Sequence, residues 1–169
     1  MWRKIITGAI TMLLVSLLGY KIVSTINKKN KIQKSIAVLP DFKFYSLENQ
    51  PFTKDSLLPN QSTLFLFFNT TCEHCQYETE EILKNAGLLS KKNVLYISSQ
   101  SIQEIKAFDS TYHLTSYPFI ILLRDSTSNF YKIFGTSIVP SSVIYNDKGM
   151  LVKTFKGEVK IDAIINSLN

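Results

Sequence analysis

Cysteine is nearly absent from this chain: the 169 residues contain two, Cys72 and Cys75. A small domain held together by staples would use several, so a disulfide scaffold is excluded. Acidic residues are missing from the first 34 positions, which carry Arg3, Lys4, Lys21, Lys28, Lys29, Lys31 and Lys34. Of 19 Lys and Arg these are seven, so the remainder holds 12 against 13 acidic residues and is near neutral. That body lacks the broad positive surface that phosphate binding needs, and nucleic acid is set aside as a partner. Internal repeats and low-complexity tracts are also missing, which excludes solenoids and arrays. What remains is an ordinary globular composition, 45% hydrophobic and 19% charged, sufficient for one domain with an appendage.

The appendage is the N-terminus. Residues 5–20 are uncharged, and with Lys21 snorkelling the apolar run reaches Ile26, about the ~20 residues a bilayer-spanning helix needs. No small-x-small cleavage site follows, and no cysteine there offers a lipid attachment. The expectation is an uncleaved membrane anchor over residues 1–27 and a basic linker over 28–38, followed by a folded domain over 39–169. Five lysines follow the span and two basic residues precede it, which by the positive-inside rule alone places the body in the cytoplasm.

Beyond the linker, residues 40–53 alternate apolar and polar about the turn ENQP, as a hairpin does. LFLFF (64–68) is too short for a helix and suits a central strand buried on both faces. Cys75, Thr79, Ile82, Leu83 and Ala86 then fall on one stripe of an amphipathic helix, with Gly87 at its expected end. Further strands are expected over 94–98, 119–123, 143–145 and 151–155, the last two paired around NDKG. Helices are expected around Ile102, Ile105 and Phe108, over 130–134, and around Ile161, Ile164, Ile165 and Leu168. This alternation predicts an α/β fold, one mixed sheet with helices on both faces.

The motif that carries chemistry is CEHC, placed where a strand hands over to a helix. At that point unpaired backbone N–H groups and the helix dipole favour a thiolate, so Cys72 reads as the nucleophile. Cys75, one turn on, can attack a mixed disulfide on Cys72 and release the reduced product. A structural disulfide is the weaker reading, because so short a loop gives little entropic stabilisation. Metal binding stands as a further reading: four-coordinate zinc would need Cys72, Cys75, His74 and His113 together. His74, if protonated, adds positive charge near Cys72, and Glu73 opposes it.

Strand, CEHC, helix and the downstream VPSSVIYNDKG resemble the thioredoxin fold, specifically the redoxin (AhpC/TSA, TlpA-like) branch of membrane-anchored thiol-disulfide oxidoreductases. The resemblance runs from Leu39 to Asn169 and includes an N-terminal β-hairpin extension. It implies an α/β thioredoxin-like mixed sheet behind an N-terminal transmembrane helix. By the same resemblance Pro140 is a cis proline facing the cysteines, and Val139 offers its main chain to an extended substrate. His74 then belongs to the substrate-binding rim. Glu78 matches the acidic residue that cytochrome-maturation relatives carry three positions after the second cysteine, a proton carrier for the buried thiol.

The resemblance further implies protein thiols or disulfides as substrates, a membrane or soluble electron donor or acceptor, no cofactor, and an extracytoplasmic, periplasm-like location. One departure is visible: Thr71 stands where relatives place tryptophan. Two alternatives share the fold. A peroxiredoxin-type peroxidase is suggested by NTTC, which keeps a threonine of that site but lacks its proline. A Sco-like copper chaperone would use three residues between its cysteines where this chain has two.

Overall fold

A computed structural model describes residues 2–169; the side chains of residues 3–5 and 7–11 lie outside the description. Two compact units form, and each is described by itself. The first is a single helix, α1 (Trp2–Ser35). The second spans Ile36–Asn169 and carries the sheet.

The expected transmembrane helix falls in large part outside the described side chains. Its basic start, Arg3 and Lys4, and much of its first half fall on side chains outside the description. Among the described residues no helix is long and apolar enough to cross a membrane. Most of the expected basic linker is helical, since α1 continues through Lys28, Lys29, Lys31 and Lys34. Lys, Gln and Ile without an intervening Gly or Pro propagate a helix readily. The folded unit then begins at Ile36, where Tyr145 donates its hydroxyl to the Ile36 carbonyl (2.9 Å) and Val38 bridges to Met150.

The sheet is built from β1 (Lys43–Tyr45), β2 (Pro51–Thr53), β3 (Thr63–Phe67), β4 (Asn93–Ser98), β5 (Ile120–Arg124), β6 (Ser141–Tyr145) and β7 (Leu151–Lys156). Their order is β2-β1-β5-β4-β3-β6-β7. The central β3, β4 and β5 run parallel, and the hairpins β1/β2 and β6/β7 add antiparallel edges. Every residue of β3, β4 and β6 is buried, which is why LFLFF shows no alternation.

Helices α2 (Glu73–Lys84), α3 (Ala86–Leu89), α4 (Ile102–Tyr112) and α6 (Ile161–Leu168) cover one face. They pack Cys75, Ile82, Leu89, Ile105, Phe108, Ile164 and Leu168 over Leu64, Leu66, Val94, Tyr96, Leu122 and Ile144. The other face is aromatic: Phe65 meets Phe42, Phe134 and Tyr145, and Phe67 stacks on Phe130. Phe130 and Phe134 belong to α5 (Asn129–Phe134), whose start is capped by Asp125 accepting from the Asn129 and Phe130 amides, both at 2.8 Å. Successive parallel steps from β3 through β4 to β5 put α2 and α4 on one side, as right-handed crossovers require, while α5, on the way to the antiparallel β6, packs on the other.

One helix end differs from the sequence reading. α2 closes at Asn85, whose amide bonds to the Ile82 and Leu83 carbonyls, and Gly87 sits inside the short α3. The hairpin around NDKG forms as expected: Asn146 Oδ1 accepts from the Lys148 and Met150 amides (3.1 and 2.9 Å), and Gly149 takes φ +72°.

Phe65 is fully buried and touches three rings, so Phe65→Ala removes the centre of the aromatic face. A loss of about 3–5 kcal/mol is expected, read from the denaturant midpoint at unchanged slope. A loss under about 1 kcal/mol would show that this face does not hold the sheet.

Candidate active site

Cys72 is the residue before the first turn of α2, with extended backbone (φ −83°, ψ 114°). Its carbonyl opens the helix by accepting from the Cys75 and Gln76 amides, both at 3.0 Å. The approach from β3 is pinned by short polar side chains. Asn69 Oδ1 accepts from the Thr71 amide and hydroxyl (2.9 and 2.8 Å), and the Thr70 amide donates to Gln100 Oε1 (2.6 Å). Gln76 Nε2 donates back to the Thr70 carbonyl at 2.9 Å. The bend therefore holds without the tryptophan that Thr71 replaces.

Both cysteines are free thiols; Cys72 is half-buried and Cys75 fully buried. Burial pushes the Cys75 thiol well up; the neighbouring Cys72 and Glu78 add to this, and a hydrogen bond from the Asn69 backbone opposes it. Cys75 is thus a thiol that needs a base. Cys72 Sγ points at the Val139 carbonyl, 4.0 Å away. The Val139–Pro140 bond is cis, the arrangement the sequence reading placed there. The segment around it is fixed by Ser141 Oγ donating to the Ile138 carbonyl (2.7 Å) and Gly157 N donating to the Pro140 carbonyl (2.8 Å).

Glu78 lies one turn beyond Cys75, 2% exposed, and is not part of a solvated acidic face. Oε1 accepts weakly from Ser142 Oγ (3.4 Å), while Oε2 has no partner among the described residues. Burial raises its pKa from 4.5 to about 7; the Ser142 bond opposes the shift and the Glu158 charge adds to it. The sequence-predicted His74 projects into solvent, and its Nδ1 pairs with Glu158 Oε2 at 2.5 Å.

Four neighbours of the site were not singled out from the sequence. Ser142 follows Pro140 on β6, Tyr96 lies on β4, and Thr79 donates to the Cys75 carbonyl (2.7 Å). Glu158 arrives because Gly157, at φ +88°, turns the chain out of β7. Ser142 stands within the motif around Pro140 and Thr79 on the amphipathic stripe of α2, while Tyr96 and Glu158 carry no local signal. Among the described residues no group of three or more His, Cys, Asp or Glu side chains converges to hold a metal. Cys72, Cys75, His74 and His113 therefore do not form the four-ligand set that zinc would need, and His113 instead closes α4 in a left-handed conformation.

The family model for AhpC/TSA matches residues 37–154, and the chain belongs to that family. It is an oxidoreductase of the thioredoxin-like redoxin class. Similar solved structures include StoA from Bacillus subtilis, with 19% identity, TM-score 0.61, and coverage of 79% of this chain and 99% of that one. A secreted disulfide oxidoreductase of Mycobacterium tuberculosis, described as homologous to Escherichia coli DsbE, shares 18% identity at TM-score 0.63, covering 75% and 93%. The peroxidoxin BcpB of the same organism shares 14% identity at TM-score 0.65, covering 78% and 93%. At these identities the likeness establishes the fold. A search of curated proteins returns no significant sequence match.

The buried carboxyl gives a pH-dependent stability. Its folded pKa, about 7, exceeds its ordinary value, so its favourable share is complete below about pH 4.5 and is lost as pH rises toward 7. The shift corresponds to roughly 3 kcal/mol. Glu78→Gln is expected to match the parent at pH 4 and to exceed it by up to that amount at pH 8 in denaturant unfolding. A pH-independent difference would place the Glu78 carboxyl in water.

Proposed function

We propose that this protein exchanges disulfides with protein substrates through Cys72 and Cys75. The observation that carries this reading is the asymmetric pair at the start of α2, an accessible sulfur in front of a buried one beside a buried carboxyl. The Cys72 thiolate attacks a substrate disulfide, forming a mixed disulfide and expelling one substrate thiolate, which takes a proton from water. Glu78 as carboxylate removes the proton from Cys75 Sγ. The Cys75 thiolate then attacks Cys72 Sγ; the intramolecular disulfide forms, and the second substrate thiolate leaves and is protonated. Two electrons pass from the dithiol to the substrate. Run backwards, the same steps oxidise a substrate dithiol, and the potential of the electron donor or acceptor sets the direction.

Val139 and Pro140 form the wall opposite Cys72, and an extended substrate strand laid along them would meet Val139 backbone groups. His74, exposed and tied to Glu158, sits at the rim where a bound polypeptide would pass. The body is read as working outside the cytoplasm, a placement supported by the secreted mycobacterial neighbour. Labelling of Cys72 in intact cells by a membrane-impermeant maleimide tests it, and protection until lysis would contradict it.

A peroxidase is the second reading, favoured by the AhpC/TSA family itself and by the peroxidoxin neighbour. There Cys72 would be oxidised by a hydroperoxide to a sulfenic acid, releasing an alcohol or water, and Cys75 would condense with it, releasing water.

Cys75→Ser separates the two. With a disulfide-bonded protein substrate it is expected to accumulate a covalent Cys72 adduct, seen by non-reducing electrophoresis and mass spectrometry, with turnover falling at least about 100-fold. Rapid hydroperoxide consumption by the parent, without any trapped protein adduct, would replace disulfide exchange with the peroxidase reading.

A further inference from the structure

The second step of the exchange leaves two buried polar atoms unexplained on the covered face of the sheet. Glu78 Oε2 and the Tyr96 hydroxyl each lack a hydrogen-bond partner among the described residues. Tyr96 is completely buried, and an unpaired buried hydroxyl costs about 1–3 kcal/mol. Both atoms lie under the first two turns of α2. The register places Ser142, Leu66 and Tyr96 side by side across β6, β3 and β4, so two polar side chains flank one leucine beneath Cys75, Glu78 and Thr79. Ser142 reaches one carboxylate oxygen of Glu78 from the β6 side. Tyr96 approaches from the β4 side, close enough to feel the charges of both Glu78 and Cys75. Thr79 Oγ, whose own proton is given to the Cys75 carbonyl, is the other oxygen near this hydroxyl and competes with Glu78 to accept from it.

We propose that Tyr96 is a positioning residue for the attack by Cys75, its hydroxyl donating through one bridging water to the Glu78 oxygen that Ser142 leaves free. This rests on the disulfide-exchange reading for its role, though the contact itself can be measured without catalysis. The chemistry balances within the steps already given: the proton leaving Cys75 Sγ arrives on the Glu78 carboxylate, and the Tyr96 proton is shared but not transferred. The groups that face Glu78 are Cys75 with Cys72 behind it on α2, Ser142 on β6, Tyr96 on β4 and Glu158 from the segment after β7. Of these only Ser142 and Tyr96 can stabilise the carboxylate by donation, since Glu158 repels it and Cys75 gives up its proton in the reaction. Losing one donor therefore makes Glu78 hold its proton to higher pH.

The test uses the full chain with Tyr96→Phe, which keeps the ring and removes the hydroxyl. The Glu78 carboxyl titration, followed by carbon-13 NMR, is expected to move up by about one pH unit. The pH profile for resolution of a preformed Cys72 mixed disulfide should move with it. On a Glu78→Gln background, Tyr96→Phe should leave that profile unchanged, because the two act as one unit. In the parent, the Tyr96 ring carbon bearing oxygen should show an inflection at the Glu78 midpoint, a readout that needs no variant. A Glu78 midpoint that stays put or falls in Tyr96→Phe, or a flat Tyr96 signal through that pH range, overturns the proposal. If instead the parent resolves no mixed disulfide while both NMR signals behave as stated, the contact stands and the exchange reading is what fails.

Discussion

Everything around the cysteines depends on how far Cys75 and Glu78 are removed from water. A thiol and a carboxyl one helical turn apart, both sealed against the apolar floor of β3, β4 and β6, cannot ionise independently at neutral pH. Desolvation makes Cys75 a poor nucleophile until its proton is taken, and the same desolvation lifts Glu78 toward the pH at which it can take it. Cys72, half-exposed at the helix start, stands in front of them. The difference between the two sulfurs, two residues apart, is one of burial, since the atoms are otherwise identical.

The fold supplies that gradient. A fully buried central strand can end at the surface only by turning, and the Asn69, Thr70 and Gln100 bonds fix the turn so that α2 starts with Cys72 outward and Cys75 inward. From the other side of β3, β6 brings Ser142 beneath Glu78, and the residues just before it set the Val139 carbonyl opposite Cys72. Gly157 bonds to Pro140 and then redirects the chain, which carries Glu158 to His74. Two antiparallel strands thus place the Val139 carbonyl and the His74–Glu158 pair beside a parallel core. Glu158 acts on both sides of this arrangement, bonding to His74 Nδ1 and making the Glu78 carboxylate costlier to form.

The legible parts of this arrangement were those written in local pattern. LFLFF, CEHC with its amphipathic stripe, the NDKG hairpin and Pro140 each carry a signal within a few residues, and the structure forms the elements and the cis bond expected there. The burial of Glu78 was not legible, because Glu78, Glu80 and Glu81 look alike in sequence and only packing on β6 separates the first from its neighbours. Tyr96 and Glu158 reach the site through strand register and a single glycine turn, neither of which leaves a spacing to read. At the N-terminus the apolar run gave a helix as expected, and much of its first half lies outside the described side chains.

The central claim is that Cys72 and Cys75 form one reversible two-electron couple, and a redox equilibration of the full chain against glutathione or dithiothreitol, read by thiol alkylation, tests it most directly. The account predicts a single transition involving both thiols together, with a midpoint between about −270 and −120 mV and a tenfold change in ratio for each ~30 mV. Two independent one-thiol titrations, or no reversible disulfide across that range, would contradict it.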